Sequence, residues 1–283
     1  MLTVLNALKL ATEYFEKKEI PSARINAELL LSHLLKCKRL DLYLRFEQPL
    51  SENEVDEFRS MIARRGKYEP VQYIIGNTDF YGLNFLVNPS VLIPRPETEI
   101  LVETIINNHK FDGPIKILDI GSGSGNIAVS LAKNLSDGDL LSIDISEEAL
   151  KTAESNAGRL NVNNVKFIKA DILSNGFAAD SHFDLIVSNP PYISDSEYGS
   201  LQKEIILYEP KNALSDNMDG LNFYRRISSF ADEKLNPGGY LYFEIGLGQS
   251  DSVKSILENN GFGEIKIIQD YQRIDRVIYG VKK

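Results

Sequence analysis

The chain has 283 residues, 43% hydrophobic and 25% charged, a balance that excludes a disordered or fibrous chain and suits a large domain or a domain with a smaller partner. No apolar run approaches the ~20 residues that cross a bilayer, and the helically spaced start (Leu2, Leu5, Leu8) soon meets Glu13 and Glu16, which argues against a signal peptide. The net charge is −9; residues 1–87 hold 12 basic and 12 acidic side chains, so the remaining 19 and 28 account for all of it.

Phosphate neutralisation dominates the affinity of duplex-DNA enzymes, and no basic field of that kind is visible, so nucleic acid is disfavoured as a partner. Two small clusters, Lys36, Lys38, Arg39 and Arg64, Arg65, Lys67, read as solvated helix ends. The single cysteine, Cys37, can close no internal disulfide and reads as a small buried hydrophobe in a cytoplasmic protein. His33, His109 and His182 are isolated, so no metal site is predicted.

Residues 1–69 are predicted to form a small helical bundle. Leu2, Leu5, Leu8, Tyr14 and Phe15 mark one face of a first helix. Ser22 is a candidate N-cap for a second, with Ile25, Leu29, Leu30 and Leu34 as its apolar face. Ser51 and Glu54 match a capping box before a third, which runs through Val55, Phe58 and Ile62. Residues 70–94 change character. Pro70–Gly76 and Phe80–Val87 are rich in β-branched and aromatic residues punctuated by glycine, and predict a linking β-hairpin. Pro94-Arg-Pro-Glu-Thr-Glu99 then opens a helix, with proline near the first turn and acids where the helix dipole favours them.

From residue 95 to 283 the pattern predicts an α/β domain. Strands are expected at Ile115–Ile120, Leu140–Ile145, Val165–Lys169, Phe183–Ser188 and Tyr240–Ile245, with helices at Ile127–Lys133 and from Glu147 to about Leu160. A final antiparallel pair, Ile265–Ile268 and Asp275–Val281, closes the list of strands. Such alternation implies a parallel sheet with helices on both faces.

Asp119-Ile-Gly121-Ser122-Gly123-Ser124-Gly125 joins the first strand to its helix. Glycines there let a ligand approach the backbone. A dinucleotide fingerprint would need glycine at position 126, which is Asn126; the spacing present suits S-adenosylmethionine, which has no pyrophosphate to seat. Asp144 ends the second strand, 19 residues after Gly125, where an acid can accept from both ribose hydroxyls. Asp171 follows the third strand and can accept from an adenine amine, and Asp119 can meet the methionine ammonium or fix the glycine turn.

Asn189-Pro190-Pro191-Tyr192 follows the fourth strand directly. The prolines force the chain out of the sheet and leave their carbonyls free. The Asn189 side-chain oxygen is a second acceptor, and Tyr192 offers a flat face. Two acceptors and a platform suit an –NH₂ on a conjugated group, a poor nucleophile that gains chiefly from orientation, on the order of 7–11 kcal/mol. Asn189, Pro190 and Tyr192 are therefore the candidate catalytic residues, with Pro191 beside them against the substrate, and no strong general base is required. The tetrad alone does not separate a nucleic-acid base from an amide.

The chain resembles the bacterial release factor glutamine methyltransferases, the PrmC/HemK family, nearly end to end. The shared residues include Pro70–Gly76, Phe80-Tyr-Gly-Leu83, Ile93-Pro-Arg-Pro-Glu-Thr-Glu99, Leu118–Gly125, Asn189–Ile193, Tyr208-Glu-Pro210, Asp219-Gly-Leu221 and Glu244-Ile-Gly246. The resemblance implies a Rossmann-like methyltransferase domain behind a helical domain that helps recognise the release factor. It implies transfer to the glutamine side chain of the Gly-Gly-Gln loop of class-1 peptide chain release factors, by a cytoplasmic enzyme expected to act as a monomer. It carries cofactor contacts onto Gly121 to Gly125, Asp144, Asp171 or Ile172, and Asn189, and substrate contacts onto Asn189 to Tyr192. Some relatives carry an aromatic residue where this chain has Ile172. Arg95 and Glu97 either shape the site or serve only the helix start. Rival readings are a glutamine methyltransferase of a ribosomal protein, an adenine-amino methyltransferase on nucleic acid, and a non-catalytic cofactor binder.

Overall fold

The computed structural model describes residues 1–108, 113–135, 138–174, 177 and 181–283, and His109 lies outside these. The chain divides into two compact units. One comprises Met1–Asn77 with Gln202–Tyr208, the other Thr78–Leu201 with Glu209–Lys283.

In the first unit, α1 (Val4–Lys17) packs on α2 (Ala23–Leu34), beside α3 (Glu52–Arg65). The predicted faces hold in part: Leu8, Phe15 and Leu30 are buried, and Leu2, Leu29 and Leu34 pack against the same core. Val4, Ala7, Leu8, Ala11 and Phe15 meet Ala27, Leu30 and Leu31, whereas Leu5, Tyr14 and Ile25 are exposed. Small alanines let the helices approach, and the larger side chains one step away are left outside. Ser22 precedes α2 in a left-handed conformation and its hydroxyl caps nothing. The Ser51–Glu54 capping box forms as expected: Glu54 N–H donates to Ser51 Oγ (3.3 Å), and Ser51 N–H to Glu54 Oε2 (2.7 Å).

Arg64 and Arg65 are not free cations. Arg64 forks onto Glu69, and buried Arg65 donates to Asn26 Oδ1 (2.8 Å), the Glu69 carbonyl (3.0 Å) and Glu204 Oε2 (2.6 Å). The last of these is how Gln202–Tyr208 joins this unit; Tyr208 adds a hydrogen bond to the Lys67 carbonyl (3.0 Å).

Pro70–Gly76, expected in the hairpin, is instead the short helix α4 (Val71–Ile75). The Pro70 carbonyl accepts from Tyr73 and Ile74 N–H, and Gly76 at φ 84 ends the turn. Burial of Val71 and Ile74 in the helical core outweighs their β preference. The hairpin itself is β1 (Asn77–Phe80) and β2 (Leu83–Leu86). Its Phe80 and Phe85 enter the core of the second unit.

That unit continues with α5 (Pro96–Asn108), β3 (Ile115–Ile120), α6 (Asn126–Asn134), β4 (Gly138–Asp144), α7 (Glu147–Arg159), β5 (Val165–Lys169) and β6 (Phe183–Ser188). After the short α8 (Asp195–Tyr198) the chain returns to the first unit as α9 (Lys203–Tyr208), and the second unit resumes with α10 (Asn222–Lys234), β7 (Leu235–Glu244), α11 (Ser250–Asn259), β8 (Phe262–Gln269) and β9 (Asp275–Lys282). Among the described residues the sheet order is β5-β4-β3-β6-β7-β9-β8, parallel except for β9, which runs against both neighbours. Ile117, Leu185 and Val187 serve the core on one face, Leu118, Ile120 and Ile186 that on the other. Asn156 on α7 ties the hairpin down. Its amide exchanges two hydrogen bonds with the Leu86 backbone (2.7 and 3.0 Å) and donates to the Ser124 carbonyl (2.9 Å). The strand order reverses direction between β3 and β6, where an open α/β sheet leaves a crevice beyond its carboxyl ends.

Candidate active site

A cavity of about 310 Å³ lies at that reversal. Gly121 and Gly123 line it from the turn after β3, Asp144 from the end of β4, Asp171 and Ile172 from beyond β5, and Asn189, Pro190 and Pro191 from beyond β6. Sequence-predicted residues from four separate strand ends therefore converge. Asp119, Ser122, Ser124, Gly125 and Tyr192 are not among the lining residues.

The glycine turn is held from below. Gly121 and Ser122 N–H both donate to the Ile143 carbonyl (2.8 and 3.0 Å), and Gly125 N–H to that of Ser122 (2.7 Å). Gly121 sits at φ 92, closed to other L residues. Gly125, at φ 80, is also a packing residue, because a Cβ there would stand 3.0 Å from that of Ala153. Buried Ser124 serves the turn through its carbonyl, which accepts from Asn156, and Ser122 joins a hydroxyl chain to Ser142 (2.6 Å) and on to Asp119 Oδ2 (2.6 Å).

Asp119 is buried, and its Oδ1 has no hydrogen-bond partner among the described residues. Burial pushes its carboxyl up to about 7. A desolvated acceptor with no donor is costly unless a bound group supplies one. Asp144 is arranged differently: Oδ2 accepts from Gly123 N–H (2.9 Å) and Oδ1 from Ser146 N–H (2.8 Å). Desolvation raises its pKa, and the backbone N–H groups of Gly123, Ser146 and Ile145 pull against that shift. Each oxygen keeps lone pairs for a diol. Asp171 Oδ1 accepts from Leu173 N–H (2.9 Å). Ile172 is buried in the core as well as lining the cavity, and its carbonyl accepts from Arg226 Nε (2.8 Å).

Around the tetrad, Asn189 Nδ2 donates to Thr98 Oγ1 (3.2 Å), which donates to Glu244 Oε2 (2.6 Å). Among the described residues, Asn189 Oδ1 and the carbonyls of Pro190 and Pro191 accept no hydrogen bond. Tyr192 packs against the core rather than into the cavity, because a Cβ at Gly246 would lie only 2.9 Å from its ring. Its carbonyl accepts from Gln249 Nε2 (2.9 Å). Burial and the charge of Glu244 hold its phenol well above the ordinary range, so it is no base. Arg95, unassigned from sequence, lines the cavity and pairs with buried Glu209 (2.5 Å), which also accepts from Ile93 N–H (3.3 Å). Glu97 and Glu99 stand in the first turn of α5, and Glu99 accepts from Tyr81 N–H (2.9 Å). Sequence reasoning missed Thr98, Glu209, Glu244 and Gln249 as site residues. The one signal was that Thr98, Glu209 and Glu244 fall inside shared motifs.

The cavity fits S-adenosylmethionine by the chemistry of its donors. A Cβ at Gly123 would meet nothing within 4 Å, so open space reaches the main chain there. Asp144 matches a ribose diol, whereas Asp119, buried behind the glycine turn, lines no part of the cavity although its Oδ1 has no partner among the described residues.

A methyltransferase domain family matches residues 112–245. The fold alone is shared with a methyltransferase from Pyrococcus furiosus, 22% identical at a TM-score of 0.52 over 72% of this chain and 90% of that one. Fold and site together define an S-adenosylmethionine-dependent methyltransferase. The PrmC N-terminal domain family matches residues 6–76. A release factor glutamine methyltransferase of Geobacter sulfurreducens is 42% identical over 98% of this chain and 96% of its own. One of Fusobacterium nucleatum subsp. nucleatum is 41% identical over 98% and 78%. The chain belongs to the release factor glutamine methyltransferase family.

Proposed function

We propose that this enzyme methylates the side-chain amide nitrogen of the glutamine in the Gly-Gly-Gln motif of class-1 peptide chain release factors. The observation that carries this reading is likeness to proteins of that name through the helical unit as well as the catalytic one. An adenine methyltransferase would share only the tetrad and the cofactor turn. The helical unit takes part in recognising the release factor, and the enzyme works in the cytoplasm as a monomer without nucleic acid or membrane. Among the described residues, no helix is long and apolar enough to cross a membrane.

Gly121, Gly123, Asp144, Asp171, Ile172 and Asn189 would hold the cofactor, with Asp119 behind the glycine turn. Bound S-adenosylmethionine supplies a methyl group on a positively charged sulfur, already electrophilic. The work left to the chain is on the nitrogen. An amide nitrogen delocalises its lone pair into the carbonyl. Asn189 Oδ1 and a proline carbonyl accept its two N–H groups, which orients it and raises its electron density. Pro190 and Pro191 supply acceptors without adding donors that would compete. The proton released on transfer passes to water, and no residue with a lowered phenol or amine pKa is needed.

The test is methyl transfer from labelled cofactor to three acceptors: purified release factor, the same factor with its Gly-Gly-Gln glutamine replaced, and DNA. Only the first should be labelled. Equal labelling of the replaced factor, or labelling of DNA, overturns the reading.

A further inference from the structure

We infer that Thr98 and Glu244 are positioning residues that set which end of the Asn189 side-chain amide faces the substrate. The inference rests on the reading that Asn189 accepts from the substrate nitrogen, and it says how that acceptor is kept the right way round.

A primary amide has an acceptor end and a donor end of nearly the same shape, and rotation by half a turn exchanges them. With Oδ1 toward the substrate –NH₂, acceptor meets donor. With Nδ2 there, donor meets donor, and the nitrogen is repelled instead of oriented. Something must choose between the two. The Thr98 hydroxyl has a single proton. That proton is committed to Glu244 Oε2 at 2.6 Å, a short bond typical of a charged acceptor. The hydroxyl oxygen is then left with lone pairs alone. It can face only the donor end of Asn189, and Nδ2 indeed donates to it at 3.2 Å. Oδ1 is thereby freed, and among the described residues nothing else donates to it.

The placement of Glu244 has no evident structural role to explain it. It is 2% exposed and Thr98 is 1% exposed. Among the described residues Thr98 is the one hydrogen-bond donor to its carboxylate, and it takes part in no ion pair. A buried carboxylate with so little compensation is costly, and such groups collect where function needs them. The charged and titratable groups that act on it are Arg276 and Arg95, which favour its ionised form, and Glu97, which opposes it. Tyr192 lies close enough to feel its charge. The relay joins three segments, since Thr98 lies in the first turn of α5, Asn189 follows β6 and Glu244 ends β7.

Protonation of Glu244 reverses the logic. A protonated carboxyl donates to Thr98, whose own proton then becomes available to Asn189 Oδ1, and the amide turns round. Turnover should therefore fall on the acid side with the titration of a carboxyl that burial has raised to about 7.

The experiment compares full-length wild type with Thr98→Val, Thr98→Ser and Glu244→Gln. It measures kcat and KM for release factor across pH 6–9, the affinity of each unloaded protein for cofactor and for release factor, and thermal melting. Thr98→Val should lower kcat on the order of tenfold to a hundredfold, the usual cost of losing a group that orients a functional side chain. KM and both affinities should stay near wild type where the variant is folded; the melting temperature should fall, because Thr98→Val also strips buried Glu244 of its donor, and Thr98→Ser should recover most of the loss in kcat. Glu244→Gln should lose the acid limb of the kcat profile. Unchanged kcat in Thr98→Val overturns the inference. So does failure of Thr98→Ser to recover activity, or a Thr98→Val kcat that returns to wild type well below the melting temperature of the variant. Wild type that labels no glutamine would instead defeat the proposed function, so the two failures are distinct.

Discussion

The two ends of the cavity are built by different means. At the cofactor end, the acceptors are held by main-chain N–H groups close in sequence: Gly123 and Ser146 N–H both point to Asp144. At the substrate end the single side-chain acceptor, Asn189 Oδ1, is held through side chains far apart in sequence, Thr98 and Glu244. Main-chain donors cannot be removed by substitution and do not titrate. A side-chain relay can be lost at any of its members and depends on pH. The cofactor end should therefore weaken gradually and the substrate end fail abruptly.

The largest effect should come from Asn189→Ala. It removes the substrate acceptor while leaving Asp144 and the glycine turn in place. We expect kcat to fall on the order of 10²–10³-fold, as when a charge-orienting hydrogen-bond group is removed from an active site. Cofactor affinity, by equilibrium titration, should fall far less than kcat, because Gly121, Gly123, Asp144, Asp171 and Ile172 still hold the cofactor. Weakened cofactor binding with normal turnover at saturation would invert the comparison.

The pH dependence of stability comes next. Glu244 is raised by burial to about 7 from an ordinary 4.5. Folded protein thus holds this proton more tightly than unfolded chain. The resulting stability is fully present below pH 4.5 and is lost as pH rises through about 7, an effect of roughly 3 kcal/mol at most. Glu244→Gln should remove it, so denaturant titrations at pH 5 and pH 8 should show a smaller difference for the variant than for wild type. Equal differences would mean the carboxyl is not the titrating group. Asp119, raised to about 7 for the same reason, works in the same direction and should leave a residual slope.

The smallest change is expected from Asp144→Ala. Loss of hydrogen bonds to a charged acceptor costs about 1.5–3 kcal/mol, so the cofactor Kd should rise by roughly 10- to 150-fold. Turnover at saturating cofactor should be nearly preserved. A collapse of kcat at saturation would show that this end also orients the reaction.

The same contrast decides what sequence could reveal. Strands β3 and β6 are legible to the residue because short, largely apolar segments between polar turns have few other places to go in a parallel sheet, and β5, at the sheet edge, is legible from its β-branched and aromatic residues set between lysines. Gly121, Gly123 and Asp144 were legible because their spacing is local. Thr98 and Glu244 were not, because residues 146 positions apart meet only through the strand order. The aromatic face of Tyr192 reads from sequence as a platform for the substrate, but Gly246 gives that face a seat against the core. In the helical unit Leu8, Phe15 and Leu30 are legible while Leu5, Tyr14 and Ile25 mislead, because part of the contact is carried by Ala7, Ala11 and Ala27, which weigh little in a hydrophobic pattern. Val71, Ile74 and Ile75 read as strand because they are β-branched, and burial in the helical core overrules that preference.

Gln202–Tyr208 has a consequence for how the protein can be taken apart. The first unit is not a contiguous stretch of chain, because its boundary is crossed again after the tetrad and once more before Glu209. Severing the chain at residue 77 would separate the helices from a piece of their own packing. Glu204 would lose Arg65, and Tyr208 would lose the Lys67 carbonyl. The two units are thus woven rather than strung together, and a swap of helical units between relatives has to carry both segments.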